Sequence, residues 1–121
     1  MKKTYETGIQ GELAAEQFLC GKGMICLERR FRSKCGEIDL IMMDRDTLVF
    51  VEVKTRKTGM PGSGLMSVNA EKQKRIARSA VLYMMANHQM DSAVRFDVVE
   101  INHEQILHIA DAFQPGGMFY R

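Results

Sequence analysis

Two strand-like runs, Glu37–Asp44 and Thr47–Thr55, are joined by Arg45-Asp46 alone, a polar pair of the length that closes a tight β-hairpin. Within the second run, Leu48-Val49-Phe50-Val51 is apolar at four consecutive positions. Successive strand side chains point to opposite faces, so this run needs cover on both sides, as a central strand has. That requirement restricts the chain to a sheet layered between other elements, and the flanking sequence supplies them. Thr4 to about Lys22 carries Gly11, Ala14, Ala15, Phe18 and Leu19 at helical spacing and ends on Gly21 and Gly23. Met24–Arg32 reads as a strand of mixed pattern. Ala70–Asn87 reads as a second helix, with Gln73, Ile76, Ala77, Ala80 and Met84 along one stripe. Val94–Ile101 and Ile106–Ala110 read as a last hairpin through Asn102-His103-Glu104-Gln105. Arg56 to Asn69, with Gly59, Pro61, Gly62 and Gly64, reads as a loop of a length that tends to be functional. The expected order is α-β-β-β-α-β-β, an α/β chain with a mixed sheet flanked by helices.

A length of 121 residues predicts one domain, large enough to make a core without disulfides or a structural metal. With 45% hydrophobic and 26% charged residues the chain matches neither a disordered segment nor a coiled coil. The longest apolar stretch, Ala80–Ala86, is far short of the ~20 residues that span a bilayer. Met1-Lys2-Lys3-Thr4-Tyr5-Glu6 is basic but is not followed by an apolar signal core, so a soluble, cytoplasmic protein without membrane contact is expected. Cys20, Cys26 and Cys35 are odd in number and lack C-x-x-C spacing, which predicts neither a disulfide framework nor a zinc knuckle. The net charge is only +2, yet 11 of the 17 Lys and Arg residues fall in three short segments. These are Arg29 to Lys34, Lys54 to Lys57 and Lys72 to Arg78. A local basic surface for nucleic acid and an ordinary solvated face both fit that pattern.

The chemistry concentrates in the hairpin. Asp39, Glu52 and Lys54 lie inside runs that otherwise read as buried, where a charge needs a partner or a metal. Alternation puts Glu52 and Lys54 on one face. A turn that pairs Asp44 with Thr47 sets Asp39 opposite Glu52 and Glu37 opposite Lys54, with Cβ atoms of facing residues ~5 Å apart. Two carboxylates that close repel unless a cation lies between them, and Mg²⁺ or Mn²⁺ with oxygen ligands and water suits such a pair. A metal there polarises a phosphoryl oxygen and acidifies a water, and Lys54 offsets charge that builds in the transition state. This is a constellation for phosphodiester hydrolysis. The same spacing also fits a cross-strand ion-pair network, Glu37 with Lys54 and Asp39 with an arginine.

A linked set of motifs narrows the choice. Gly8-x-x-Gly11-Glu12-x-x-Ala15, Gly36-Glu37-Ile38-Asp39-Leu40-Ile41, Phe50-Val51-Glu52-Val53-Lys54-x-Arg56 and Arg95-Phe96-Asp97-Val98-Val99 occur in this order over nearly the whole chain. The set resembles the PD-(D/E)xK nuclease superfamily and, more closely, the bacterial YraN-like family, whose nearest characterised relatives are archaeal Holliday-junction resolvases. The resemblance implies a restriction-endonuclease-like fold and a metal-dependent endonuclease acting on nucleic acid, DNA in preference to RNA, including branched structures. It makes Asp39 and Glu52 metal ligands, with the Val53 carbonyl as a third and Glu12 joining from the first helix, and Lys54 the catalytic lysine. By analogy with resolvases it implies a homodimer. Such families often carry an asparagine near the end of the first strand, where this chain has Glu28-Arg29-Arg30-Phe31-Arg32.

Arg30, Arg32, Arg56, Lys57, Lys72, Lys74 and Arg75 are the expected phosphate contacts, with Gln73 beside them on the second helix. Asp97 reads as structural, bonded to a turn or an arginine. His88, His103 and His108 form no ligand spacing with the acids, and His103 and His108 are expected on a hairpin surface. Two rivals stay open: a nucleic-acid-binding module that kept the fold without turnover, and an interaction protein whose acids form structural pairs only.

Overall fold

The computed structural model describes residues 2–56, 67–102 and 105–115, with side chains from Gly8 onward. The elements follow the expected order: α1 (Lys2–Gly21), β1 (Ile25–Ser33), β2 (Gly36–Asp44), β3 (Thr47–Arg56), α2 (Ala70–Ala86), β4 (Ala93–Asn102) and β5 (Gln105–Ile109). Expected boundaries agree to within a few residues. Lys57, most of the long loop before α2, and His103-Glu104 in the last hairpin lie outside the described residues.

One five-stranded sheet runs β1-β2-β3-β4-β5. Its neighbours are antiparallel except β3 and β4, which run parallel because the chain crosses over through α2 between them. The mixed α/β architecture is therefore the one the hairpin required. β3 is covered on both faces: Leu48 and Phe50 pack with Ile76, Ala80, Tyr83 and Met84 of α2, while Val49 and Val51 pack with Ala15 and Leu19 of α1. The mixed pattern of β1 reflects its place at the sheet edge, with a register shift between Cys26 and Glu28. Arg45 closes the β2–β3 turn with φ of 57°, and Asp44 pairs with Thr47. At Gly11, helix α1 comes so close to β3 that a Cβ would run into the Thr55 hydroxyl. That approach brings the neighbouring Glu12 to the sheet. Among the described residues no helix is long and apolar enough to cross a membrane.

Candidate metal centre

The regular β2–β3 ladder stops at Leu40–Val51. One pair further on, Asp39 Oδ2 accepts the Val53 backbone N–H at 2.8 Å, so the side chain takes up a donor that the ladder would otherwise use. Counting from the turn predicts that Asp39 faces Glu52, and the charge of Glu52 acts on the Asp39 carboxyl. Burial, then the charge of Glu52, pushes the Asp39 carboxyl up to about 8; the Val53 N–H opposes this and the charge of Glu12 adds to it. Val53 was expected to offer its carbonyl and enters the site through its N–H. In an extended strand both groups point to the same side, so the carbonyl also opens toward β2.

Glu52 is buried, with its side chain 8% exposed. Lys54 Nζ lies 3.3 Å from its Oε2, and Lys72 Nζ contacts the same oxygen from α2. Burial and the neighbouring Lys72 ammonium lower the Lys54 pKa. Burial would lower Lys72 as well, but its contacts with Glu52 and Lys54 prevail and raise it. Asn69 caps α2, its Oδ1 accepting the Lys72 backbone N–H at 2.9 Å, which fixes the turn from which Lys72 reaches β3. Gln73, on the same turn, donates from Nε2 to the Val68 carbonyl at 3.0 Å.

Glu12 is held by Arg30, whose Nε donates to its Oε1 at 2.7 Å, and it acts on Asp39 through its charge. Arg30 has a left-handed backbone, φ 50°, a conformation that asparagine adopts more readily than most residues. One turn along α1, Glu16 accepts two hydrogen bonds from Arg29, 2.6 and 2.7 Å long. The alternative pairing of Glu37 with Lys54 does not form: Glu37 lies on the β1 side, 3.3 Å from Arg32, and Lys54 turns to Glu52.

The other expected phosphate contacts scatter. Lys74 is exposed, and Arg75 is exposed with Nε 3.9 Å from Glu71. Arg56 is half-buried, its Nε without a hydrogen-bond acceptor among the described residues. Sequence reasoning placed Lys72 on the surface for phosphate and missed its contact with Glu52. The signal was its place in the first turn of a crossover helix, next to the end of the strand that it follows.

The donor chemistry suits a hard divalent cation: two neighbouring carboxyl groups, Glu52 buried and Asp39 half-buried, the latter forced toward its neutral form. Among the described residues no group of three or more His, Cys, Asp and Glu side chains gathers around one point, so the protein offers a pair rather than a cage. A pair is enough for Mg²⁺, which keeps several of its waters.

The model of the uncharacterised protein family UPF0102 matches residues 11–101. A UPF0102 protein of Geotalea daltonii is 46% identical over 111 residues, covering 88% of this chain and 87% of its own. One of Saccharophagus degradans is 45% identical over 114 residues, covering 93% and 97%. One of Geotalea uraniireducens is 43% identical over 112 residues, covering 88% of each.

Proposed function

From the premise that this chain belongs to the UPF0102 family, we propose that it is a divalent-metal-dependent endonuclease that hydrolyses nucleic-acid phosphodiester bonds. The observation that carries this reading is the placement of Asp39 beside the buried Glu52, where burial and the charge of Glu52 push the Asp39 carboxyl up to about 8 although Lys54 and Lys72 contact Glu52. A bound Mg²⁺ or Mn²⁺ supplies Lewis-acid polarisation of a phosphoryl oxygen and a more acidic water. Asp39 and Glu52 hold it, and the Val53 N–H fixes the orientation of Asp39. Lys54, on the strand face of Glu52, donates to the attacking water or to a phosphoryl oxygen and offsets the charge that develops there. Glu12, tied to Arg30, adds negative charge beside Asp39 and favours a cation further. DNA, including branched forms, is the substrate that the resemblance to resolvases favours, and cutting two symmetric strands calls for a homodimer.

Cleavage of single-stranded, duplex, flapped and four-way-junction DNA in Mg²⁺, Mn²⁺ and EDTA tests the proposal. Cutting should need metal, and Glu52→Ala and Lys54→Ala should each reduce it at least ~10²-fold, the scale of losing a transition-state contact. Binding of DNA by the wild type without cutting would leave a binding module instead.

A further inference from the structure

Glu52 holds two ammonium groups on one oxygen. Lys54 reaches Oε2 along β3 and Lys72 reaches it from α2. Both lysines thus crowd one carboxylate oxygen, and the charge of Asp39 also acts on Lys72. A dication that takes Glu52 as a ligand meets both ammonium groups at close range, whichever carboxylate oxygen it uses, and repels them. The two lysines are not equally able to leave. Lys54 stands two residues from Glu52 on the same strand and is bound into the parallel ladder opposite Glu100. Lys72 belongs to a different element, with its side chain 34% exposed against 23% for Lys54, and has a long flexible stem.

Resting on the nuclease reading above, we propose that Lys72 is a phosphate ligand of this site, a side chain that leaves Glu52 when a divalent ion binds and takes a phosphate oxygen of the nucleic acid instead. Charge balance favours the exchange. With Asp39, Glu52, Glu12 and the buried Glu100 opposite Lys54 all ionised, the acids exceed Lys54, Lys72 and Arg30 by one charge. A divalent ion leaves one positive charge over, which the phosphodiester offsets, and its dianionic transition state more so. Lys72 therefore couples the two ligands: metal frees the lysine for phosphate, and phosphate keeps the lysine away from the metal's carboxylate. Linkage then requires each ligand to raise the affinity for the other.

Lys72→Met keeps the apolar stem and removes the charge. Titration calorimetry with Mn²⁺ alone should show the variant binding the ion about fivefold more tightly than wild type, the lower end of typical coupling. Fluorescence anisotropy with a labelled four-way-junction DNA, in EDTA and in Ca²⁺, should show the opposite sign. DNA should bind about fivefold more weakly in the ion, and the gain in DNA affinity on adding the ion should shrink. Lys72→Gln gives the same comparison if the Met variant does not fold. Arg78→Ala, an exposed cation further along α2, should leave Mn²⁺ affinity unchanged. A merely structural lysine on Glu52 would also tighten metal binding when lost, so the DNA arm decides: unchanged DNA affinity of Lys72→Met in Ca²⁺ overturns the phosphate role. Unchanged or weaker Mn²⁺ binding by Lys72→Met, in a protein whose wild type binds both ligands, overturns the role of Lys72 alone. A wild type that binds neither Mn²⁺ nor DNA overturns the nuclease reading beneath it.

Discussion

Asp39 on β2 and Asp97 on β4 are both carboxylates set into the sheet, and their surroundings drive them in opposite directions. Asp97 is fully buried and lies level with Val51, whose side chain packs against α1, so it occupies the face away from Glu52. Its Oδ1 accepts Arg95 Nε and the Asp111 backbone N–H, each at 2.9 Å. Its Oδ2 accepts Arg95 Nη2 at 3.1 Å and lies 2.7 Å from His108 Nε2. Burial would raise its pKa, but these donors outweigh burial and lower it. Asp39 has one backbone donor and a second carboxyl group as its neighbour, and its pKa rises. A buried charge with every lone pair answered holds a fold together. One set beside its own sign keeps a proton instead, and it is that proton which the proposed metal would displace.

The largest break in this contrast should come from Asp97→Ala. His108 would lose its acceptor and Arg95 would keep only Asp44, a change that costs about 1–3 kcal/mol. Urea denaturation should show that loss, while Mn²⁺ affinity of the folded fraction stays unchanged. Equal stability of variant and wild type would mean that the Asp97 network is not what secures β4 to β5.

The next effect belongs to the metal. Below pH 8 Asp39 keeps its proton, and a cation must displace it, so Mn²⁺ affinity should rise up to about tenfold per pH unit from pH 6 and level off above about 8. Calorimetry in buffers of different ionisation enthalpy should count close to one proton released at pH 7. Affinity that is flat across this range would remove Asp39 from the ligand set.

Without metal the two acids should also give pH slopes of opposite sign. The folded pKa of Asp39 exceeds its ordinary value of 3.8, so the native state holds a proton that the unfolded chain gives up between pH 3.8 and about 8. Its contribution to stability is present below that window and is lost as pH rises through it. Asp97 behaves the other way: its contribution is present above 3.8 and is lost as pH falls through its lowered folded pKa. Asp39→Asn should therefore raise the melting temperature at pH 8 by a few degrees and flatten the slope from pH 5 to 8, although it removes a ligand of the proposed metal. A drop at pH 8 would show that the Asp39 carboxylate is stabilised rather than strained.

The contrast was legible in the sequence where local periodicity controls it. A two-residue turn fixes Asp44 against Thr47, and counting back from it brings Asp39 to Glu52. The same count overreached at Glu37, because the regular ladder stops before that residue and leaves it beside Arg32 on β1. Contacts between layers have no such rule. The pairing of Arg30 with Glu12 and of Lys72 with Glu52 depends on how each helix sits on the sheet, which spacing along the chain does not record. His108 shows the remaining kind of error. Expected on a hairpin surface, its side chain is only 5% exposed, because the β4–β5 register sets it level with Val99, on the α1 face. Asp97, expected to bond a turn or an arginine, does both.

The smallest effect tests whether the Asp97 network ends at His108 or extends to solvent. Lys22, exposed at the end of α1, has Nζ 2.9 Å from His108 Nδ1 and 4.7 Å from the centre of the Phe18 ring. With Lys22 as the donor, Nδ1 accepts and Nε2 carries the proton toward Asp97, the same tautomer that the buried acid requires. Exposed contacts of this kind contribute little, and Lys22→Ala should cost about 0–1 kcal/mol at pH 7. Its clearer mark should be on the ring. Nitrogen-15 NMR of the His108 imidazole should show a predominantly Nε2–H form in both proteins, because Asp97 alone suffices to hold that proton. A shift of the variant toward the Nδ1–H form would make Lys22 part of the buried network and carry its edge out to the protein surface.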